Sequence, residues 1–417
     1  MKIQLITIGN ELLNGKIQDK NAFWLARFCY EHHIDFTKNH IIPDNRKAFF
    51  TALKEAWKDA DLVITSGGLG PTKDDLTKDL LSEFFECPLK ESDQAMEVTL
   101  NNYKKSKREY NPKQNYSKVP NGFTALDNEI GYAPGLLFEK DSKMIAALPG
   151  VPAEFKTMFK DEVLKRANGR FQELGNLKKH VIVKTYKAPE AMIFNKLAPE
   201  LWDKLEAFGE VSSLPHPMGV DIGVKIEARD KEALKQKEQQ VIDCLNSSPI
   251  KDYIWHIGNE SLEEVIIQKA KEKNMTIGFA ESCTGGLCAS RITDISGSSS
   301  VFLGSVVAYH NSVKENILNV NTSTLEKFGA VSSETAWEMA QGARNVLGAD
   351  LVVTTTGIAG PGGATPDKPV GTIGVGYSSK RKCAGDLHNF SDRDRVDMKY
   401  VFSQVALFTM LEQIEKF

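Results

Sequence analysis

Twice in this 417-residue chain a short run of branched apolar residues stops abruptly at glycines. Leu62-Val63-Ile64 passes through Thr65-Ser66 into Gly67-Gly68-Leu69-Gly70, and Leu351-Val352-Val353 passes through Thr354-Thr355-Thr356 into Gly357-Ile358-Ala359-Gly360-Pro361-Gly362-Gly363. Unbroken apolar runs of this length belong to strands buried on both faces, which means a parallel sheet covered by helices. Glycine directly after such a strand lets a ligand or a helix start come close to the backbone. The two runs therefore predict two α/β sandwiches, each with its site at the carboxyl edge of a sheet.

The surrounding pattern sets the boundaries. Residues 3–9, 34–42 and 61–65 read as strands, with helical spacing near 19–33 and 44–59, and this alternation defines an α/β domain over 1–170. From 171 to 257 the texture changes. Val220, Ile222, Val224 and Ile226 alternate with Asp221, Gly223, Lys225 and Glu227, the signature of a strand with one buried face. Helical patterns near 189–205 and 231–246 flank it, so a small α+β module with an antiparallel sheet is expected to join the two sandwiches. The third domain, 258–417, opens with Ser261-Leu262-Glu263-Glu264, a capping box. It alternates again: strands at 276–280, 301–309, 350–356 and 371–377, a helix near 285–293, helices up to 347, and a closing helix near 394–415.

Composition excludes several classes. The net charge of −3 gives no general attraction to nucleic acid or to an anionic surface. No apolar run approaches the roughly 20 residues that span a bilayer. The six cysteines at 29, 87, 244, 283, 288 and 383 form no C-x-x-C pair, which predicts reduced thiols in a cytoplasm and no zinc site. Lys104-Lys105-Ser106-Lys107-Arg108 is the densest charge run and reads as a solvated helix face. Tyr103, Tyr110 and Tyr116 interleave with it, as in single-strand binders, but one such run is weak evidence.

The C-terminal domain carries the densest chemistry. In Phe279-Ala280-Glu281-Ser282-Cys283-Thr284-Gly285-Gly286 a strand ends on small polar residues before a helix. Such a turn presents its apex side chain and aims the amides of the helix start outward, where they could hold an oxyanion. The same pattern also suits a plain strand-to-helix connection. Ser282 and Cys283 both qualify as nucleophile. A cysteine wants a neighbouring histidine, and His310, the nearby one, reads as a surface residue. A serine can use a lysine kept neutral by burial, and Lys314 follows Tyr309 by five residues. Thr284, Gly285 and Gly286 would admit a substrate, Thr356 and Gly357 would line its pocket, and Arg393 at the start of the last helix could pair with a phosphate.

In the N-terminal domain Gly9-Asn10-Glu11 follows the first strand, and Gly67-Gly68-Leu69-Gly70-Pro71-Thr72-Lys73-Asp74-Asp75 follows the third. Gly67, Gly68, Gly70 and Thr72 would cradle phosphate at a helix start, with Asn10 and Glu11 beside them. Asp74 and Asp75 could hold a divalent cation, Mg, Mn or Co, or could simply make the first helical turn acidic. Gly131-Tyr132-Ala133-Pro134-Gly135 and Leu148-Pro149-Gly150-Val151-Pro152-Ala153-Glu154 favour a site.

Together E-S-C-T-G-G, Y-x-x-x-x-K, G-A-V-S, M-A-x-G-A-R and T-x-T-G-I-A-G-P-G-G-x-x-x-x-K-P-V-G-T resemble the C-terminal domain of the CinA family, and the N-terminal motifs resemble the molybdopterin-binding fold that precedes it. The resemblance implies deamidation of nicotinamide mononucleotide to the acid and ammonia. Ser282 is then the nucleophile, Lys314 and Tyr309 its activating partners, Thr356 a pocket residue and Arg393 the family arginine, with no cofactor for this step. It also implies a homodimer acting on small nucleotides, and an association of the N-terminal domain with metal-dependent ADP-ribose pyrophosphatase activity. Two motifs depart from the family. Ser391-Asp392-Arg393 lacks the usual glycine, with Asp397 in place of a second arginine, and Asn10 stands where Asp is usual. A non-catalytic accessory role in competence or DNA repair is the competing class.

Overall fold

In the computed structural model residues 1–72, 75–111, 116–171, 177–391 and 393–417 are described. The chain divides into two compact units: residues 1–181, 203–211 and 224–244 form one, and residues 182–202, 212–223 and 245–417 form the other. The middle segment is thus parted between them.

In the first unit β1 (Lys2–Ile8), β2 (Asp35–Ile42) and β3 (Leu62–Ser66) form the parallel half of a sheet. The antiparallel pair β4 (Leu89–Glu91) and β5 (Lys118–Pro120), separated in sequence by the helix Asp93–Lys105, stands apart from it. With β6 (Thr124–Leu126), β7 (Gly135–Lys140) and β8 (Lys143–Leu148) the main sheet runs in the order β2-β1-β3-β8-β7-β6. β8 lies parallel to β3, whereas β7 and β6 are antiparallel to their neighbours. Alternate residues of β3 enter different cores, as a strand covered on both faces requires. Val63 packs with Phe49 and Leu53 of the helix Arg46–Asp59. Leu62 and Ile64 pack with Leu25 of the helix Lys20–Glu31 and with Phe155 and Phe159. The sandwich is as expected, but the sheet is mixed: the hairpin β7–β8 supplies antiparallel pairing that its glycine-flanked sequence did not announce.

Four strands follow: β9 (Leu177–Thr185), β10 (Gly209–His216), β11 (Gly219–Ala228) and β12 (Ile254–Ile257), in the order β10-β11-β9-β12. Val220, Ile222, Val224 and Ile226 are buried while Asp221, Lys225 and Glu227 are partly exposed, which matches the period-2 reading. The helix expected near 189–205 is broken into Glu190–Met192, a π turn at Ile193–Leu197 and Leu201–Glu206. Pro199 accounts for the break, because it disfavours helical geometry at Ala198 and removes a donor.

The C-terminal sheet contains β13 (Ile277–Glu281), β14 (Phe302–Val307), β15 (Leu351–Gly357), β16 (Thr372–Ser379) and β17 (Cys383–Asn389), in the order β14-β13-β15-β16-β17. β13 lies parallel to β14 and β15, and the last two strands are antiparallel. Phe279 and Val353 face the long helix Arg395–Lys416, while Ala280 and Val352 face Met339 and Ala343 of the helix Ser333–Leu347. Ser261 caps its helix by the capping box read from sequence. β17 is a polar edge strand, and a strand that buries little carries no apolar alternation to read.

The run Lys104–Arg108 is exposed, but its neighbours Tyr103 and Tyr116 belong to the core, and the ring of Tyr103 lies 4.3 Å from that of Tyr132. These aromatics are spent on packing and are not presented to a base. Asn128 fastens the adjacent loop. Its Nδ2 donates to Ala133 O (2.7 Å) and Glu154 Oε2 (2.8 Å), and its Oδ1 accepts from Gly131 N (2.9 Å). Replacing Asn128 by Ala strands these groups in a buried position. It is expected to cost about 2–3 kcal/mol, seen as a lower denaturant midpoint with an unchanged slope. A midpoint equal to wild type would show that the loop is held by other means.

Candidate active site

β13 lies between β14 and β15, so the turn at its end is fixed from both sides. Ser282 N donates to Thr355 O (2.9 Å), and Ala308 N donates to Glu281 O (2.8 Å). The turn closes through Gly285 N on Ser282 O (3.1 Å). Gly286 then enters the helix Leu287–Thr293 at φ 96°, a conformation that favours glycine. Ser282 is 8% exposed, a hydroxyl at a narrow opening.

Sequence reasoning expected the amides of this helix start to face outward. The structure corrects this. The fully buried carboxylate of Glu281 turns back beneath them, accepting from Gly286 N (2.9 Å), Cys288 N (3.0 Å) and Ala289 N (2.9 Å). It also accepts from Thr284 Oγ1 (2.8 Å) and Ser305 Oγ (3.1 Å). Burial of this side chain is tolerated because five donors satisfy its oxygens. Among the described residues the amide of Thr284 is left without an acceptor, and that of Cys283 meets only its own thiol. These two amides, next to the hydroxyl, are the remaining candidates for an oxyanion site.

Lys314 faces Ser282. His310 caps the helix Asn311–Asn316 by accepting from Ser312 N, which is the structural role expected of it. That helix carries Lys314 into the interior, where it is 1% exposed. Its Nζ lies 3.2 Å from Ser282 Oγ, 3.0 Å from Ala308 O and 3.3 Å from Tyr309 O. Burial pulls its pKa below the ordinary lysine value, with the neighbouring Cys283 opposing weakly. In the neutral amine the two carbonyls take both N–H bonds, and the lone pair is left for the serine hydroxyl. Cys283 is buried as well, and burial pushes its thiol up to about 12. A thiol so far from ionisation is a poor nucleophile at neutral pH, which favours Ser282 between the two residues.

Other expected site residues are placed differently. Tyr309 gives Lys314 its carbonyl, whereas its side chain is 61% exposed and its hydroxyl accepts from Arg395 Nη2 (2.9 Å). Thr356 is buried with its hydroxyl donating to Ala330 O (2.5 Å), so it braces the loop from within. Gly357 lies under Cys283, where a Cβ would stand 3.2 Å from its sulfur. Arg393 is exposed and precedes the last helix. Arg395 is exposed as well, but its guanidinium is held by the Tyr309 hydroxyl and by Gly360 O, to which it donates. Sequence reasoning passed over Glu281, Thr355 and Arg395. Thr355 closes the network by sharing a hydrogen bond of 2.7 Å with Thr284.

In the N-terminal unit a cavity of about 430 Å³ opens at the carboxyl ends of β1, β3 and β8. Its lining includes Glu11, Gly67, Gly68, Gly70, Asp75 and Glu154. Gly68 adopts φ 70°, and a Cβ there would fall 2.2 Å from the Thr77 hydroxyl, so the turn closes against the next helix only with glycine. Thr72 donates from its amide (2.9 Å) and its hydroxyl to Asp75 Oδ2. Asn10 is exposed and donates its amide to Asp44 Oδ2 (2.9 Å). Burial raises the carboxyl pKa of Glu154, against the Asn128 hydrogen bond that lowers it. Asp74, the other acid expected to hold a cation, lies outside the described residues. Among those described, no three carboxylate, histidine or cysteine groups gather closely enough to hold a metal.

Two α/β domains, each with a glycine-rich turn at the carboxyl edge of its sheet, define the class. Residues 259–414 match the model for the CinA C-terminal domain, and residues 4–168 match that for a probable molybdopterin binding domain. A CinA-like protein of Salinibacter ruber is 37% identical over 98% of both chains. A putative competence-damage inducible protein of Thermoanaerobacter pseudethanolicus is 38% identical over 92% of this chain and 91% of its own. A solved structure of competence/damage inducible protein CihA from Agrobacterium tumefaciens is 36% identical, covering 38% of this chain and 97% of its own with a TM-score of 0.36. This chain belongs to the CinA family. Among the described residues no helix is long and apolar enough to cross a membrane.

The burial of the Cys283 and Cys288 thiols predicts the order of alkylation. At pH 8 iodoacetamide should modify the exposed Cys383 first and leave Cys283 and Cys288 unmodified until the chain unfolds. Peptide mass mapping gives the order, and early labelling of Cys283 would contradict its burial.

Proposed function

We propose that the C-terminal domain is an amidohydrolase that converts nicotinamide mononucleotide to nicotinate mononucleotide and ammonia. The observation that carries this reading is the buried Lys314 amine held 3.2 Å from Ser282 Oγ by two carbonyls. Lys314 takes the hydroxyl proton as Oγ bonds to the carboxamide carbon, and the carbonyl electron pair moves to oxygen beside the Thr284 and Cys283 amides. The C–N bond breaks, and Lys314 returns the proton to the departing nitrogen. Water, deprotonated in turn by Lys314, attacks the acyl-serine, and the acid leaves as the proton goes back to Oγ. The balance is amide and water to acid and ammonia. A protein that served only as an accessory would gain nothing from burying a lysine amine against a serine, since that burial costs stability.

Ammonia release from nicotinamide mononucleotide should fall at least ~10³-fold in Ser282→Ala and in Lys314→Met, and should persist in Cys283→Ala. Absence of turnover in wild type would sink the reading, and loss in Cys283→Ala alone would move the nucleophile. The pH profile has a definite sign. Lys314 acts as a base only when neutral, and its pKa is lowered by burial. Activity should therefore rise with pH through a midpoint below the ordinary lysine value and then level off. A profile that falls over that range would contradict a lysine base.

For the N-terminal cleft we propose a nucleoside-diphosphate ligand such as ADP-ribose, supported by the glycine turn and by a cavity of the right scale. The described residues do not by themselves assemble a metal site, so a divalent cation would depend largely on phosphate oxygens for its ligands. Hydrolysis of ADP-ribose with Mg²⁺, Mn²⁺ or Co²⁺, compared between wild type and Asp75→Ala, tests this. No cleavage with any of the three would remove pyrophosphatase activity. The assembly expected under this reading is a homodimer in the cytoplasm.

A further inference from the structure

The helix Lys20–Glu31 packs beside the helix Pro152–Met158 and the π turn that follows it, Phe159–Val163, and a cavity of about 1100 Å³ opens between them. It shares no lining residue with the glycine-turn cleft. Trp24, Phe28 and His32, each four residues apart, form one wall. The rings of Trp24 and Phe28 lie 5.2 Å apart, and His32 stacks on Phe28 at 3.8 Å. Two lysines, also four apart, meet this wall from the neighbouring segment. Lys156 Nζ stands 5.8 Å from the centre of the Trp24 ring, and Lys160 Nζ stands 5.6 Å from it and 5.7 Å from that of Phe28. The ring faces attract these ammonium groups but carry no charge to neutralise them. The other charges on the cavity are already spent. Arg27 pairs with Glu31 (2.7 Å), and Asp19 caps its helix by accepting from Ala22 N (2.8 Å). Among the described residues Lys20, Lys156 and Lys160 have no carboxylate partner. Phe23, 72% exposed, adds an uncovered ring at the rim.

We propose that this cavity binds a nucleoside monophosphate, with its base against the aromatic rings and its phosphate among the three lysines. A ligand that satisfies the cavity has to bring both a flat apolar body and negative charge. Rings alone would take a neutral heterocycle, and lysines alone would take any anion. Lys156 and Lys160 share one ring, so two like charges are held close together, an arrangement that an anion relieves. Point charges on flexible stems suit a phosphate dianion, which they can approach from several sides. The volume is on the scale of cavities that enclose a small ligand, and an aromatic lining with a few polar groups is their usual make-up.

Trp24 reports on its own cavity. Titrating the full chain with AMP should quench tryptophan fluorescence and reach saturation. Trp24→Phe, which keeps a ring, should remove most of that change while calorimetry still detects binding. Lys156→Ala and Lys160→Ala combined in one chain should weaken AMP at least about 10-fold and leave adenosine, which lacks the phosphate, unaffected. Adenosine and inorganic phosphate should each bind wild type more weakly than AMP, since neither engages both walls. Asp75→Ala, in the glycine-turn cleft, should keep the AMP signal. Absence of saturable quenching would overturn the proposal, and so would wild-type affinity in the double lysine variant. Loss of AMP binding in Asp75→Ala alone would also overturn it, because the nucleotide would then sit in the other cleft. Among the described residues neither Lys156 nor Lys160 forms a hydrogen bond, so the double variant should melt close to wild type. Lys156→Arg with Lys160→Arg, which restores the charge over the rings, should recover binding, and a charge-restored chain that stays weak would count against the site.

Discussion

A single buried carboxylate organises the C-terminal domain. Glu281 ends β13, and its two oxygens collect three main-chain amides and two hydroxyls from the turn, the helix start and β14. Remove that charge and the helix start has no partner for its amides, the Thr284 side chain loses its anchor, and the turn that carries Ser282 is no longer defined. The five donors satisfy both carboxyl oxygens despite complete burial. The arrangement also decides which amides of the turn remain unpaired. Those of Gly286, Cys288 and Ala289 are consumed, so among the described residues those of Cys283 and Thr284, beside the serine, are left without a main-chain acceptor.

The reactive pair depends on a second asymmetry. Lys314 and Cys283 are both buried beside Ser282, and burial moves both toward their neutral forms. For the lysine the neutral form is the reactive one, a base with a free lone pair. For the cysteine it is the unreactive one, a thiol. The same low-polarity surroundings therefore favour an amine able to accept a proton and disfavour a thiolate, which is why the proposed nucleophile is Ser282 and not Cys283. The cost is an amine kept from solvent, partly offset by the carbonyls of Ala308 and Tyr309.

What could be read from sequence followed from what leaves a pattern. Buried strands such as Leu62–Ser66 and Leu351–Gly357 open on apolar runs and lead into glycine, so both sandwiches and the glycine turns at their sheet edges were legible. The capping box at Ser261 was equally so. β17 was not, because an exposed edge strand with the sequence Cys-Ala-Gly-Asp-Leu-His-Asn buries too little to show a period. Family spacing brought Ser282 and Lys314 together correctly. It did not give Glu281 its work, since a Glu before a Ser looks the same whether it faces solvent or turns inward under a helix. Nor could it separate Arg393 from Arg395. Two residues along a chain that is entering a helix rotate a side chain to a different face, and the turn at which the helix starts is decided by Asp394 acting as its cap.

That cap ties the two halves of the site together. Because Asp394 accepts the amides of Val396 and Asp397, the helix begins at Arg395, which places this side chain and that of Lys399 on one face, a turn apart. Arg395 then meets the hydroxyl of the same Tyr309 whose carbonyl supports Lys314. Tyr309 thus joins two side chains from different elements, Arg395 through its hydroxyl and Lys314 through its carbonyl, and the start of the last helix is coupled to the Lys314–Ser282 pair through that one residue.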